Sequence, residues 1–239
     1  MTRPGQAIAA LGAVMRNRDL RRVELAWGAS IAAEWAHFVA LGIFAYDAGG
    51  TAAVGIAGLV RMLPAALIAP LAAGLGDRFR RERFLLAIAL AGSAALAASG
   101  AAFFAGRSQV AIYLLAGVVG VTTTLFRPAL QAILPSLART PEELIASNGA
   151  TSTIESLGTL GGPLLAGVLI SVGSPGLVFA VAAGASLVAA ALLAPVSVEG
   201  RIQTTAAARG ESTRQLLLGG FRAVSSPKPR LIVGLLVGQ

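Results

Sequence analysis

The chain has 239 residues, 56% hydrophobic and only 13% charged, with mean hydropathy +0.77 and formal charge +8. That balance excludes a soluble globular domain, which needs a far more polar surface, and places the chain in the membrane class. With no Cys and a single His, disulfides, thiolate metal centres and most imidazole sites are excluded as well.

The positive charge does not read as nucleic-acid binding. Basic residues lie in short links between apolar runs, and aromatics make up only 5% of the chain. No nucleophile–base pair or metal cluster is visible, so neither an enzyme nor a cofactor is expected.

Residues 1–22 carry Arg3, Arg16, Arg18, Arg21 and Arg22 around the small apolar patch Ala7–Met15. The arginines lead directly into a full-length span, so this segment reads as a cytoplasmic lead-in with a short surface helix, not a signal peptide. A helix needs about 20 apolar residues to cross the hydrocarbon core. Six stretches qualify: 23–46, 54–75, 84–105, 110–134, 144–172 and 177–195. The expected links are 47–53, 76–83, 106–109, 135–143 and 173–176. In the fourth link, Thr140-Pro-Glu-Glu143 predicts an N-cap, a proline at the first helical position and a capping box closed by Glu143.

Charge fixes the expected orientation. Residues 1–22 hold five arginines, 76–83 four, 135–143 one, and 196–230 six lysines or arginines; the links on the opposite side hold only Arg107. By the positive-inside rule the N-terminus is cytoplasmic, in a multi-pass protein of the cell (inner) membrane. Past the sixth span, 196–230 is polar and reads as a cytoplasmic central loop, with Thr213–Val224 a candidate surface helix. Residues 231–239 begin a further apolar run, read as the start of a seventh helix in a longer design.

The link Gly76–Arg83 and the fifth span carry two motifs. Pro70-Leu-Ala-Ala-Gly-Leu-Gly-Asp-Arg-Phe-Arg-Arg81 resembles the signature loop Gly-x-Leu-Ala-Asp-Arg-x-Gly-Arg-Lys/Arg of the major facilitator superfamily. Leu75, Asp77, Arg78 and Arg81 match it, whereas Ala73, Gly76, Arg80 and Glu82 depart from it. Gly158-Thr-Leu-Gly-Gly-Pro-Leu-Leu-Ala-Gly167 resembles that family's antiporter motif, with Ala166 in place of a Gly. Phe126-Arg-Pro-Ala129, Leu134-Pro-Ser-Leu137 and Asn148 are similar to the bacterial drug- and siderophore-exporter branch.

The resemblance implies the N-terminal half of a transporter: an all-α six-helix bundle built as a three-plus-three inverted repeat, followed by a seventh helix. Its function would be secondary active efflux of a small, partly apolar molecule, driven by the proton gradient. Its partners would be the lipid bilayer, the substrate, and a C-terminal half or a second copy of the chain. Two other readings stay open, a truncated half without transport activity and a membrane sensor.

For the signature loop, the resemblance implies that Asp77 locks the cytoplasmic side against a second half, with Arg78 and Arg81 in support. The plain alternative is a solvated charged turn. Arg80 and Arg83 read as topology determinants and lipid-headgroup contacts.

Within the membrane, Glu34 lies about 18 Å into the first span, with His37 one turn further, and Arg61 lies about 22 Å from the inner edge of the second. They form either a structural ion pair or a protonation and cation-substrate site. Glu155 lies about 21 Å from Pro141, and Asn148, Ser152, Glu155 and Thr159 make a polar stripe that needs protein or water. Gly158, Gly162, Pro163 and Gly167 read either as close helix packing or, by resemblance, as a bend against the other half.

Drug–proton antiporters of this family usually carry an Arg in the middle of the fourth span. Here Arg127 falls about 26 Å from the outer end, near the inner surface, so that role is not carried over to it. The third and sixth spans hold no ionisable residue. In the family fold these are the outermost helices.

Overall fold

The computed structural model describes residues 12, 14–78, 80–106 and 108–197, with backbone alone over 69–78. Five helices make six crossings. Helix α1 (Arg18–Arg78) is a hairpin whose helical path breaks only at Gly49 and Gly50. Gly50 has φ +64°, a conformation that a side chain disfavours. The arms fold back on each other, bringing Arg61 beside Glu34 and over the Phe38 ring.

The remaining helices are α2 (Arg81–Phe104), α3 (Gln109–Leu137), α4 (Pro141–Val172) and α5 (Pro175–Leu193). Among the described residues all five are long and apolar enough to cross a membrane, and the six expected spans coincide with them, two of them (84–105 and 177–195) running one or two residues past a helix end.

Two links in particular are shorter than the composition predicts. The 47–53 link shrinks to two glycines, and in the 76–83 link one helix runs on to Arg78 and the next starts at Arg81. Charged residues mark where the hydrocarbon core ends, but nothing in them stops a helix. Backbone geometry ends α2, with Gly106 at φ +60°, and the proline starts of α4 and α5 set their first turns.

Packing follows the proposed repeat. The first arm of α1 crosses α4, with Ile31 against Gly158 and Ala32, Trp35 and Ala36 against Gly162. Its counterpart joins the second arm to α3, where the Val60 and Arg61 carbonyls lie against Gly117 and Gly120. The first arm also packs on α5, and α3 on α2. Helices α2 and α5 pack on each other, with Ser93 Oγ donating to the Ala183 carbonyl at 3.1 Å. Exchanging spans 1–3 for spans 4–6 maps this set of contacts onto itself.

Two aromatic-anchored clusters fill the bundle. Trp27 stacks on Phe126 at 5.6 Å at one end, and Phe44, Phe103, Tyr113 and Phe179 gather at the other.

The lead-in is more than a surface segment. Val14 and Asn17 are buried, and Val14 joins the first cluster. Asn17 Nδ2 donates to the Leu137 carbonyl at 3.1 Å and to Glu143 Oε2 at 3.2 Å. Thr140 caps α4 by accepting from the Glu143 amide, as expected. The Glu143 carboxylate instead accepts from the Arg139 amide, one residue before the cap. The candidate helix over 213–224, the rest of the loop from 198 to 230 and the start of the seventh helix at 231–239 lie outside the described residues.

Candidate functional site

Arg61 Nη2 donates to Glu34 Oε1 at 2.9 Å, with the Arg61 guanidinium 5.0 Å from the centre of the Phe38 ring. The two arms of α1 therefore hold acid and base at one depth, each offsetting a charge that apolar surroundings would penalise. Gly120 lets α3 approach the Arg61 carbonyl. Any larger residue there would push the second arm, and with it the guanidinium, away.

His37, one turn beyond Glu34, is fully buried against Phe179, with ring centres 5.3 Å apart and neither nitrogen hydrogen-bonded. Below the ion pair lies a small cavity lined by Trp27, Ser30, Glu34, Thr122, Thr123 and Phe126, with about 20 Å³ of room. Trp27 Nε1 and Ser30 Oγ are buried there without partners. A space of that size holds one water, and three polar groups are present to bind it. It is too small for an organic substrate.

The second half of the bundle repeats the arrangement with the signs exchanged. Arg127 Nη1 on α3 donates to Glu155 Oε1 on α4 at 2.9 Å. Arg127 therefore stands level with Glu155, roughly 15 Å from the end of α3 at ~1.5 Å per residue. The structure runs α3 on through Pro135, which the apolar count had placed outside the membrane.

Asn148 and Ser152 stand exposed on α4, and Ser152 Oγ donates to the Asn148 carbonyl. Together with the half-buried Glu155 and Thr159 they form a polar face that no described helix covers.

A buried carboxylate escaped the sequence reading. Glu24 is fully enclosed between α1 and α4, accepting from Ser147 Oγ at 2.6 Å and Thr151 Oγ1 at 2.9 Å. It stands two residues from Arg22, at the start of the first span. The i, i+4 pair Ser147 and Thr151, one step off the Asn148 stripe, was the available signal.

At the same end of the bundle, Arg81 Nη1 donates to the Ala132 carbonyl at 2.8 Å, near the C-terminus of α3 where a cation is favoured. Asp77 and Arg78 lie in the last turn of α1, and their side chains are outside the described set. Glu143, in the first turn of α4 and outside its membrane-crossing part, is held below the usual carboxylate range by the Arg139 amide, with Asn17 assisting.

The glycine motif divides by face. Gly158, Gly162 and Ala166 are buried against the first arm of α1, and α4 continues unbroken through Pro163. Gly167 faces open space. Small residues at 158, 162 and 166 let the backbones approach as in close-packed membrane helices.

No curated protein and no solved structure gave a match to this chain. The family model described as Major Facilitator Superfamily matches residues 25–239, from the start of the first span onward. A multi-pass helical bundle with that match over most of its length belongs to the major facilitator superfamily, whose members are membrane transporters.

Proposed function

We propose that this chain is the N-terminal half of a secondary active exporter in the cell membrane, with its N-terminus in the cytoplasm. It moves a small, partly apolar molecule outward by rocking against a C-terminal half or a second copy. The observation that carries this reading is the uncovered polar face of α4. Asn148, Ser152 and the Arg127–Glu155 pair lie together where lipid cannot satisfy them. A water-filled cavity shared with a second half does satisfy them, and transport folds of this kind place their sites there.

Within this reading Glu34 and Glu155 exchange protons. Arg61 and Arg127 hold the two carboxylates in place and compensate the charge that appears when each proton leaves. Asp77 and Arg78 form the cytoplasmic latch toward the second half, and Arg81 anchors the latch turn to α3. Gly167 and Pro163 lie on the part of α4 that bends against the second half.

The absence of Cys from these 239 residues offers a direct test. Ser152→Cys, made in the assembled transporter in intact membranes, should react with a water-soluble maleimide. Leu90→Cys, on an exposed apolar position of α2, should not. Equal protection of both positions would assign the α4 face to lipid and remove the cavity.

A further inference from the structure

At the end of the bundle that holds Asn17, a cleft with about 280 Å³ of room opens between the first turn of α2 and the last turn of α5. Its floor is apolar, made by Leu86, Leu193 and Val196, and its rim carries Arg80, Arg83 and Ser197. Arg80 Nε donates to Glu82 Oε1 at 2.7 Å, yet the Arg80 side chain remains 45% exposed. Arg83 has no side-chain partner among the described residues, and the three charges leave the lining with one net positive charge. The first amides of α2 also lack a side-chain cap.

The geometry points to a binding site for the phosphodiester of an anionic phospholipid. Guanidinium groups match phosphate oxygens with paired donors, and uncapped amides at the helix start add to the attraction. A free anion would use only the rim. A phospholipid uses both parts, since its glycerol and the roots of its acyl chains lie against the half-buried Leu86, above the buried Leu193 and Val196, while its phosphate meets the arginines. The cleft lies where charged link meets apolar span, the depth at which headgroups reside. It also joins α2 to α5, one of the contacts between the two three-span repeats, so a bound lipid ties the repeats together at this surface.

The test uses the chain purified in a non-ionic detergent and titrated with phosphatidylglycerol or phosphatidylcholine, with bound lipid read by native mass spectrometry. Phosphatidylglycerol should bind the parent chain well above phosphatidylcholine. R80Q/R83Q should weaken it on the order of tenfold or more. Ser197→Trp, which obstructs the cleft and leaves the charge unchanged, should weaken it similarly, and R16Q at the same end should not. Excess inorganic phosphate should fail to displace the lipid. Unchanged binding in R80Q/R83Q, equal loss in R16Q, or full displacement by phosphate would each overturn the assignment.

Discussion

Arg61 reaches Glu34 across 2.9 Å between the first two spans, and Arg127 reaches Glu155 across the same distance between the fourth and fifth. Under the exchange of spans 1–3 with 4–6 the two pairs correspond, but acid and base trade places. The glycines trade in the same way, sitting on span 5 in one crossing and on span 4 in the other. The repeat thus conserves where a charge pair and a close approach occur, not which helix supplies each part.

Charge reversal tests the first pair. Glu34→Arg sets two guanidinium groups against each other and should sharply lower the yield of monodisperse protein. Adding Arg61→Glu restores a pair and should recover most of it. Removing one partner of a buried pair costs about 3–5 kcal/mol, and partial exposure of Glu34 puts Glu34→Gln toward the low end. No recovery in the double variant would show that local packing, not the pair, holds the arms.

The glycines of α4 should separate cleanly in thermal unfolding in detergent. A Cβ on Gly162 would stand 2.6 Å from Trp35 Cβ and 2.7 Å from the Ala32 carbonyl, so Gly162→Leu must push α4 off α1. The expected loss exceeds the roughly 1–3 kcal/mol of ordinary overpacking, because backbone is in the way. Gly167→Leu should be neutral. Equal effects at both sites would contradict the packing described for this helix.

Asn17 should act as a staple across the end of the bundle. Asn17→Ala frees the Leu137 carbonyl and one contact of Glu143, with an expected cost of about 1–2 kcal/mol. Limited proteolysis should then cut faster at Arg139 than in the parent chain. An unchanged cleavage rate would show that the turn at 138–140 is held by its own cap alone.

Glu24 depends on two hydroxyls. Ser147→Ala with Thr151→Ala removes both donors from a fully buried carboxylate, and each lost bond should cost about 1–3 kcal/mol. Adding Glu24→Leu to that variant should regain stability, since no buried polar group is then left without a partner. Lower stability in the triple variant would mean that the carboxylate has a further role in the fold.

Much of this was legible in the sequence because a bilayer leaves few choices. Span length, the arginine-rich links and the equal depths of Glu34 and Arg61 follow from rise per residue and the cost of charge in lipid. Helix ends were less legible, because Asp47, Gly76 and Pro135 read as breaks although the helices run through them. Counting Arg127 from the outer end of its span and Glu155 from Pro141 hid their pairing. Glu24 was hidden by its neighbour Arg22, since sequence position does not reveal that α4 closes over one residue and not the other. The division of Gly158 and Gly162 from Gly167 needed the neighbouring helix itself.

The proposed coupling of proton movement to transport rests on two membrane carboxylates, Glu34 and Glu155. The most direct measurement uses inside-out vesicles containing the assembled transporter, an imposed pH gradient and a panel of amphipathic fluorescent dyes. The parent transporter should dissipate the gradient when a transported dye is added. Glu34→Gln and Glu155→Gln, inserted to equal levels, should each abolish that dissipation. Gradient-driven uptake at the parent rate in both variants would contradict the account.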